Sequence, residues 1–130
     1  MKKPYQALIF DWDGTLADST SMIVQAVQQA FVENDFAMPS DSEASHIIGL
    51  ALPKAMQHLA PQANTDEIFA LSESYKRLFL NPNNQMRLFQ DAQALLPSLK
   101  PDYWLTVATG KSRRGLDRAL TEVGLDNGFF

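Results

Sequence analysis

The sequence contains no cysteine and no long apolar run. Without cysteine, neither a disulfide framework nor a thiolate metal site can form. No stretch approaches the roughly 18 consecutive apolar residues of a transmembrane helix, and the apolar run that follows the N-terminus is far too short for a secretory signal peptide. We therefore expect a cytoplasmic protein that has no membrane partner.

Charge of one sign is also scarce, because 11 Lys and Arg residues oppose 15 Asp and Glu residues and leave a formal net charge of -4. This balance gives no reason to expect nucleic acid as a partner. The chain has 130 residues, of which 45% are hydrophobic and 20% charged. That composition is typical of one globular domain, or of a core with a modest insert. A small metabolite is therefore the expected partner.

Two apolar stretches predict strands, Tyr5 to Trp12 and Tyr103 to Ala108. The first contains an uninterrupted apolar run, the pattern of a parallel strand that is buried on both faces. Between the two strands, apolar residues recur only at helical spacing. We therefore predict an α/β core, formed by residues 1–15 and 86–130, that is interrupted by an all-helical domain of residues 16–85.

Helical periodicity and capping residues predict six helices. They run from the segment Asp18–Ser21 to Asn34, from the end of the turn Met38–Asp41 to Ile48, from Pro53 to Ala60, from Asn64 to Leu80, from Asp91 to Leu99 and from Ser112 to Val123. Large apolar side chains of the helical domain, including Phe31, Met56, Phe69 and Phe79, are expected to form its core.

Two carboxylates, Asp11 and Asp13, stand at the end of the first predicted strand, and Thr109 follows the second. Ligand sites of open parallel sheets lie beyond the carboxyl ends of the strands, so we expect these side chains on one rim. Asp11 there can attack phosphorus and carry the phosphoryl group as an aspartyl-phosphate. Asp13 can protonate the departing alkoxide and then take a proton from the attacking water. The pair therefore predicts a site for phosphoryl transfer.

Neighbouring residues suit the same chemistry. Gly14 allows the backbone to turn sharply beside a phosphate, and Thr15 and Thr109 can donate hydrogen bonds to phosphoryl oxygens. Lys111 precedes a helix N-terminus, a position that favours phosphate, and is a candidate substrate contact. A cation must separate the nucleophilic carboxylate from the phosphate dianion, and all-oxygen ligation favours Mg²⁺.

The spacing of Asp11 and Asp13 also occurs in other kinds of loop. A calcium loop of the EF-hand type that begins at Asp11 would need glycine at position six and glutamate at position twelve. The sequence has Leu16 and Met22 there, so this alternative fails. A solvated turn after the strand remains open, as does a solvated helix face for the basic side chains that follow Thr109.

The Asp-x-Asp-Gly-Thr pattern behind an apolar strand resembles the first motif of the haloacid dehalogenase (HAD) superfamily, and Leu105–Gly110 resembles its second. The stretches IFDWDGTLADS and VATGKSRRGLDRAL are most similar to the phosphoglycolate phosphatase and β-phosphoglucomutase branch. The resemblance implies a Rossmann-type parallel sheet core with an inserted helical cap domain. It also implies that Asp11 is both nucleophile and Mg²⁺ ligand, and that Asp13 is the acid/base residue and lends its backbone carbonyl to Mg²⁺ as a second ligand.

The resemblance also implies a set of substrate contacts. Thr109, with Gly110 and Lys111 beside it, would bind phosphate. The stretch that includes His46 and Gly49 is similar to the loop by which the family's caps touch substrate, and Lys54 is a further candidate there.

The family's third and fourth motifs supply a lysine and acidic metal ligands on later strands, and this sequence stops at Phe130 before them. We therefore expect an N-terminal fragment of a longer phosphatase, inactive alone, with an exposed sheet edge through which it self-associates. The expected activity is hydrolysis of a small phosphate monoester. A phosphomutase of the β-phosphoglucomutase type and a non-catalytic binding or assembly module are the alternatives.

Overall fold

A computed structural model of the chain describes residues 4–126 and 128–130. The chain divides into two compact units, one formed by Met1–Asp18 and Met86–Phe130 and the other by Ser19–Gln85. The elements are β1 (Ala7–Phe10), α1 (Thr20–Glu33), α2 (Asp41–His46), α3 (Leu52–Leu59), α4 (Thr65–Phe79), α5 (Gln90–Leu99), β2 (Trp104–Val107) and α6 (Arg113–Glu122). The first unit holds both strands with α5 and α6, and the second holds α1 to α4. The predicted α/β class is confirmed.

The helical unit has an apolar core of its own. Helix α1 packs against α2 and α4, and α3 packs against α4. Apolar side chains from all four helices meet between them: Ile23, Val24, Val27, Phe31, Ala44, Ile47, Ala55, Met56, Ala60, Ile68 and Leu71. Burial of these stripes is the main stabilising contribution, since helical propensity alone is marginal for helices of this length.

Two helices of this unit begin at reciprocal caps. The Ser40 hydroxyl accepts the Glu43 N–H at 3.1 Å, and the Glu43 carboxylate accepts the Ser40 N–H at 3.1 Å. Asn64 and Glu67 form the same pair at 2.8 and 3.0 Å. The hydrogen bond from the Ser40 backbone holds the pKa of the Glu43 carboxyl below its ordinary value, because it favours the charged form. These caps fix where α2 and α4 start.

The two strands of the α/β unit pair in parallel, with Ala7 opposite Trp104 and Phe10 opposite Val107. One face of this pair is covered, as the burial of Leu105 shows. Because the pairing is parallel, both strands present their carboxyl ends at the same edge of the sheet. This edge is where the predicted site residues follow the strands.

The structure corrects the predicted burial of the first strand. Ile9 is 73% exposed, and Trp104, which lies opposite Ala7 on the same face of the pair, is 78% exposed. Alternate residues of a strand point to opposite faces, and here only one face is covered within the described residues. Both strands are also shorter than the apolar stretches that predicted them.

The structure also corrects the predicted core position of Phe69, which is 66% exposed. Its neighbour Ile68 and the next turn's Leu71 occupy the buried side of α4. Successive residues of a helix are about 100° apart, so Phe69 is turned away from that side.

The boundary between the units differs from the prediction at residue 16. Residues up to Asp18 belong to the α/β unit. Ala17 forms an antiparallel bridge with Leu88, and the Asp18 N–H donates to the Arg87 carbonyl at 2.7 Å. These backbone bonds tie the two crossing segments together. No helix in the described ranges is long and apolar enough to span a bilayer.

Candidate active site

The predicted site residues follow the two strands at their shared carboxyl edge. Asp11 directly succeeds β1, and Thr109 comes two residues after β2. The strand pairing extends to this edge, because the Ala108 N–H donates to the Phe10 carbonyl at 2.8 Å. The two loops that carry polar side chains therefore leave the sheet side by side.

The loop after β1 closes on a single carbonyl. Trp12 O accepts the N–H groups of Thr15, Leu16 and Ala17 at 3.1, 3.0 and 3.0 Å. Gly14 lies inside this turn with φ of 77°, a left-handed conformation that favours glycine. The sharp turn predicted at Gly14 is thus present, and it holds Asp13 in a compact loop.

Asp11 is exposed at the start of this loop. Its Oδ1 accepts the Trp12 N–H at 2.8 Å, which orients the carboxylate. The Trp12 side chain is fully buried and meets the Phe130 ring edge-on, with centroids 6.3 Å apart. An accessible carboxylate is therefore attached to a firmly anchored neighbour, an arrangement suited to a nucleophile.

Asp13 is paired with a cation from the second loop. The Lys111 Nζ lies 3.6 Å from the Asp13 Oδ2, and the two side chains are only 15% and 11% exposed. Such a pair at the sheet edge brings positive charge to the place where the prediction puts a phosphate. Both residues are predicted from the sequence, but their contact is not, because it depends on the parallel pairing of two strands far apart in the chain.

The loop after β2 is held by the Thr109 hydroxyl, which accepts the Lys111 N–H at 3.1 Å. A hydroxyl can accept and donate at once, so Thr109 can still donate its own proton. Helix α6 begins directly afterwards, and the Ser112 hydroxyl caps it by accepting the Gly115 N–H at 3.0 Å. The N-terminal end of α6 therefore follows Lys111 immediately.

The other basic side chains near this loop are solvated. Arg113, Arg114 and Arg118 are exposed. Arg113 pairs with Asp117 at 2.5 Å, and this hydrogen bond raises the pKa of the guanidinium above its ordinary value. The helix-face interpretation therefore fits these three arginines, whereas Lys111 differs from them.

The donor set at the edge suits part of a magnesium site. The Asp11 carboxylate and the Asp13 backbone carbonyl come from one short loop, and Mg²⁺ is usually held by one or two carboxylates with water and substrate phosphate. Over residues 4–126 and 128–130, no group of three or more His, Asp or Glu side chains could hold a metal ion. The two groups thus offer hard oxygen ligands without a complete cage.

The predicted substrate contacts of the insert belong to the helical unit. His46 is exposed at the end of α2, and its ring lies 6.1 Å from that of His58. Gly49 has φ of 103°, which suits the predicted chain break. Nothing in this geometry assigns these residues or Lys54 a ligand, so their role stays a prediction.

A family model described as haloacid dehalogenase-like hydrolase matches residues 8–130. Among curated proteins, the tyrosine-protein kinase PtkA of Mycobacterium tuberculosis (strain ATCC 25618 / H37Rv) is 29% identical over 126 residues. That alignment covers 95% of this chain and 42% of PtkA. The chain therefore spans less than half the length of this curated relative.

Solved structures share the architecture. A predicted phosphoglycolate phosphatase from Haemophilus somnus 129pt superposes with a TM-score of 0.82 at 24% identity, over 97% of this chain and 60% of that one. A hydrolase from Pseudomonas syringae gives a TM-score of 0.83 at 23% identity, over 94% and 57% of the two chains. At this level of identity, the likeness establishes the fold.

Proposed function

Because this chain belongs to the haloacid dehalogenase-like hydrolase family, we propose that it carries the nucleophile and the acid/base residue of a phosphatase for small phosphate monoesters. The observation that carries the proposal is the pairing of Asp13, in the loop that begins at the exposed Asp11, with Lys111 in the loop after β2. The first loop thus offers an accessible carboxylate and a second, held carboxylate, and the second loop offers a cation.

In the proposed reaction, an Asp11 carboxylate oxygen attacks phosphorus and the bond to the ester oxygen breaks. Asp13 enters this scheme as the neutral carboxylic acid and gives its proton to the departing alkoxide, so that the alcohol leaves neutral and Asp13 becomes a carboxylate. Asp13 then takes a proton from water as the water oxygen attacks the aspartyl-phosphate. Inorganic phosphate departs, and both carboxyl groups return to their initial states.

The neighbouring groups hold the phosphoryl oxygens in this scheme. Thr109 donates a hydrogen bond from its hydroxyl. Thr15 and the backbone around Gly14 lie in the loop after β1, and Gly110 lies in the loop after β2, where they can donate further hydrogen bonds. The Lys111 ammonium supplies a positive charge that attracts the phosphoryl oxygens. A Mg²⁺ ion held by the Asp11 carboxylate and the Asp13 backbone carbonyl would offset the repulsion between the nucleophile and the phosphate dianion. We propose that the 130-residue chain alone turns over little substrate, since one carboxylate and one carbonyl leave most of the metal's ligands to water.

The curated match favours a second candidate. The relative is named as a tyrosine-protein kinase, and an aspartyl-phosphate can pass its phosphoryl group to a hydroxyl other than that of water. Transfer to a sugar hydroxyl would likewise make the protein a phosphomutase. All three activities share Asp11 as the phosphoryl carrier and differ in the acceptor.

A steady-state assay with p-nitrophenyl phosphate tests the proposal on this chain and on any longer product of the same gene. We expect Mg²⁺-dependent release of inorganic phosphate from the longer product, abolished by a chelator and by Asp11→Asn. A second arm adds a tyrosine-containing peptide and follows phosphate transfer to it. Transfer without hydrolysis would favour the kinase, and activity without Mg²⁺ would contradict the proposed cofactor.

A further inference from the structure

The helical unit contains an open cavity of about 400 Å³, which no part of the proposed phosphatase chemistry uses. Five of its nine lining residues are carboxamides: Gln25, Gln28, Gln29, Asn81 and Asn84. The other four are apolar, and no charged side chain lines it. Its volume falls within the range of about 300–1,000 Å³ that is typical of small-molecule sites.

The framework fixes three of these carboxamides. Gln28 Nε2 donates to the Pro39 carbonyl at 3.0 Å and to the Asp41 Oδ1 at 2.8 Å. Asn84 Nδ2 donates to the Leu78 carbonyl at 3.1 Å, and the Asn81 Oδ1 accepts the Asn83 N–H at 2.9 Å. Each amide thereby keeps one polar end for a ligand: an oxygen on Gln28 and Asn84, and an N–H₂ on Asn81.

Two further carboxamides, Gln25 and Gln29, are exposed on one face of α1. Within the described residues, no protein hydrogen bond engages either side chain, so both can donate and accept. They stand one helical turn apart, a spacing that places side chains next to each other.

From this lining we propose that the cavity binds a neutral polyhydroxylated ligand, such as one sugar ring or a cyclic polyol. Hydroxyl groups donate and accept at once, which matches carboxamides that offer both functions. An ion would lose hydration without gaining an opposite charge. A purely apolar ligand would leave the carboxamides unpaired. The thioethers of Met22 and Met38 can adapt to the C–H face of a ring.

All lining residues lie within Ser19–Gln85, and none of them is a residue to which the phosphatase proposal gives a role. The titration that tests the proposal follows binding rather than turnover, so its outcome does not depend on the phosphatase activity. The chain also contains internal reporters. Met22 and Met38 line the cavity, whereas Met56 lies in the helical core and Met86 in the α/β unit. Methyl signals from these four methionines therefore localise any bound molecule.

The test is a titration of the ¹³C-methyl-methionine-labelled chain with D-glucose, myo-inositol and glucose 6-phosphate, followed by NMR. We expect saturable shifts of Met22 and Met38 with at least one neutral probe, with a dissociation constant of roughly 1–10 mM. Met56 and Met86 should not move, and the phosphate group should not tighten binding. Absence of saturable shifts with both neutral probes, or tighter binding of glucose 6-phosphate, would overturn the proposal.

A double variant, Gln25→Leu with Gln29→Leu, keeps the side-chain size and helix propensity but removes two carboxamides. We expect it to bind the neutral probe at least tenfold more weakly, with unchanged thermal unfolding. The matched control is Gln93→Leu, an exposed position on α5 outside the cavity, which should bind as the original chain does. Equal affinity of the double variant and the control would also overturn the proposal.

Discussion

At the scale of single residues, the two carboxylates of the first loop differ in what surrounds them. Asp11 is exposed and oriented by one backbone N–H. Asp13 has a side chain that is 11% exposed and lies beside the Lys111 ammonium. An accessible group suits attack on phosphorus, and a held group suits proton transfer at a defined place. The environments thus support the division of roles that the sequence suggests.

Replacing Asp11 by Asn should remove turnover while leaving the fold intact. The amide is a poor nucleophile, but its oxygen can still accept the Trp12 N–H. We expect a loss of more than about a thousandfold in kcat, or about 4 kcal/mol of barrier. Steady-state kinetics on the active gene product checks this, with thermal unfolding as the control. Near-normal activity would disprove the nucleophile assignment.

Lys111→Met should weaken substrate use, because it removes the cation beside Asp13 and keeps the aliphatic stem. A charge-assisted hydrogen bond contributes about 1.5–3 kcal/mol, so we expect kcat/KM to fall roughly 10- to 100-fold. Lys111→Arg should recover part of the loss. The matched control is Arg114→Met, an exposed neighbour, which should be nearly neutral. Equal effects at the two positions would show that Lys111 has no special role.

At the scale of elements, the sequence predicted helices better than strands, for a local reason. Asn64, the predicted cap of α4, begins that helix through a partner three residues away, so its signal is complete within one turn. Strand ends depend instead on pairing with a distant segment. Trp12 is apolar and extends the predicted strand, but in the structure it anchors the loop. The apolar pattern alone does not distinguish a residue that extends a strand from one that anchors the following loop.

Ser40→Ala and Asn64→Ala should each destabilise the helical unit. Each removes the side chain that accepts an N–H in the first turn. The expected cost is about 1 kcal/mol of unfolding free energy apiece, measured by urea denaturation. Ser42→Ala, at an exposed position inside α2, should change stability by only a few tenths of a kcal/mol. If neither Ser40→Ala nor Asn64→Ala lowered the free energy of unfolding measurably, the caps would not stabilise the helical unit as proposed.

At the scale of the whole molecule, the order of strands and helices predicted the α/β class and the helical insertion. Because parallel strands end at the same edge of a sheet, the sequence also predicted that the polar residues after the two strands would lie at one edge. Two features lay beyond the sequence: the contact between Asp13 and Lys111, and the exposure of Ile9 and Trp104. Both depend on which segments pair and which faces are covered, and periodicity within one segment carries neither kind of information.

The exposed face of the sheet, which carries Ile9 and Trp104, is expected to promote self-association. We expect the chain to associate at micromolar concentration, because apolar surface and unpaired strand groups favour contact with a second copy. Trp104→Thr should weaken association in sedimentation velocity. Phe69→Thr removes an aromatic of similar exposure from the helical unit and should leave association unchanged. A stable monomer at all concentrations would refute this expectation.

The most direct test of the central claim is to locate the phosphoryl group during turnover. The active gene product is mixed with p-nitrophenyl phosphate and Mg²⁺, quenched in acid, digested and examined by mass spectrometry. We predict one phosphoryl group on the peptide that contains Asp11, at Asp11 itself, and none in the Asp11→Asn variant. A phosphoryl group on another residue, or undiminished turnover by that variant, would contradict the account.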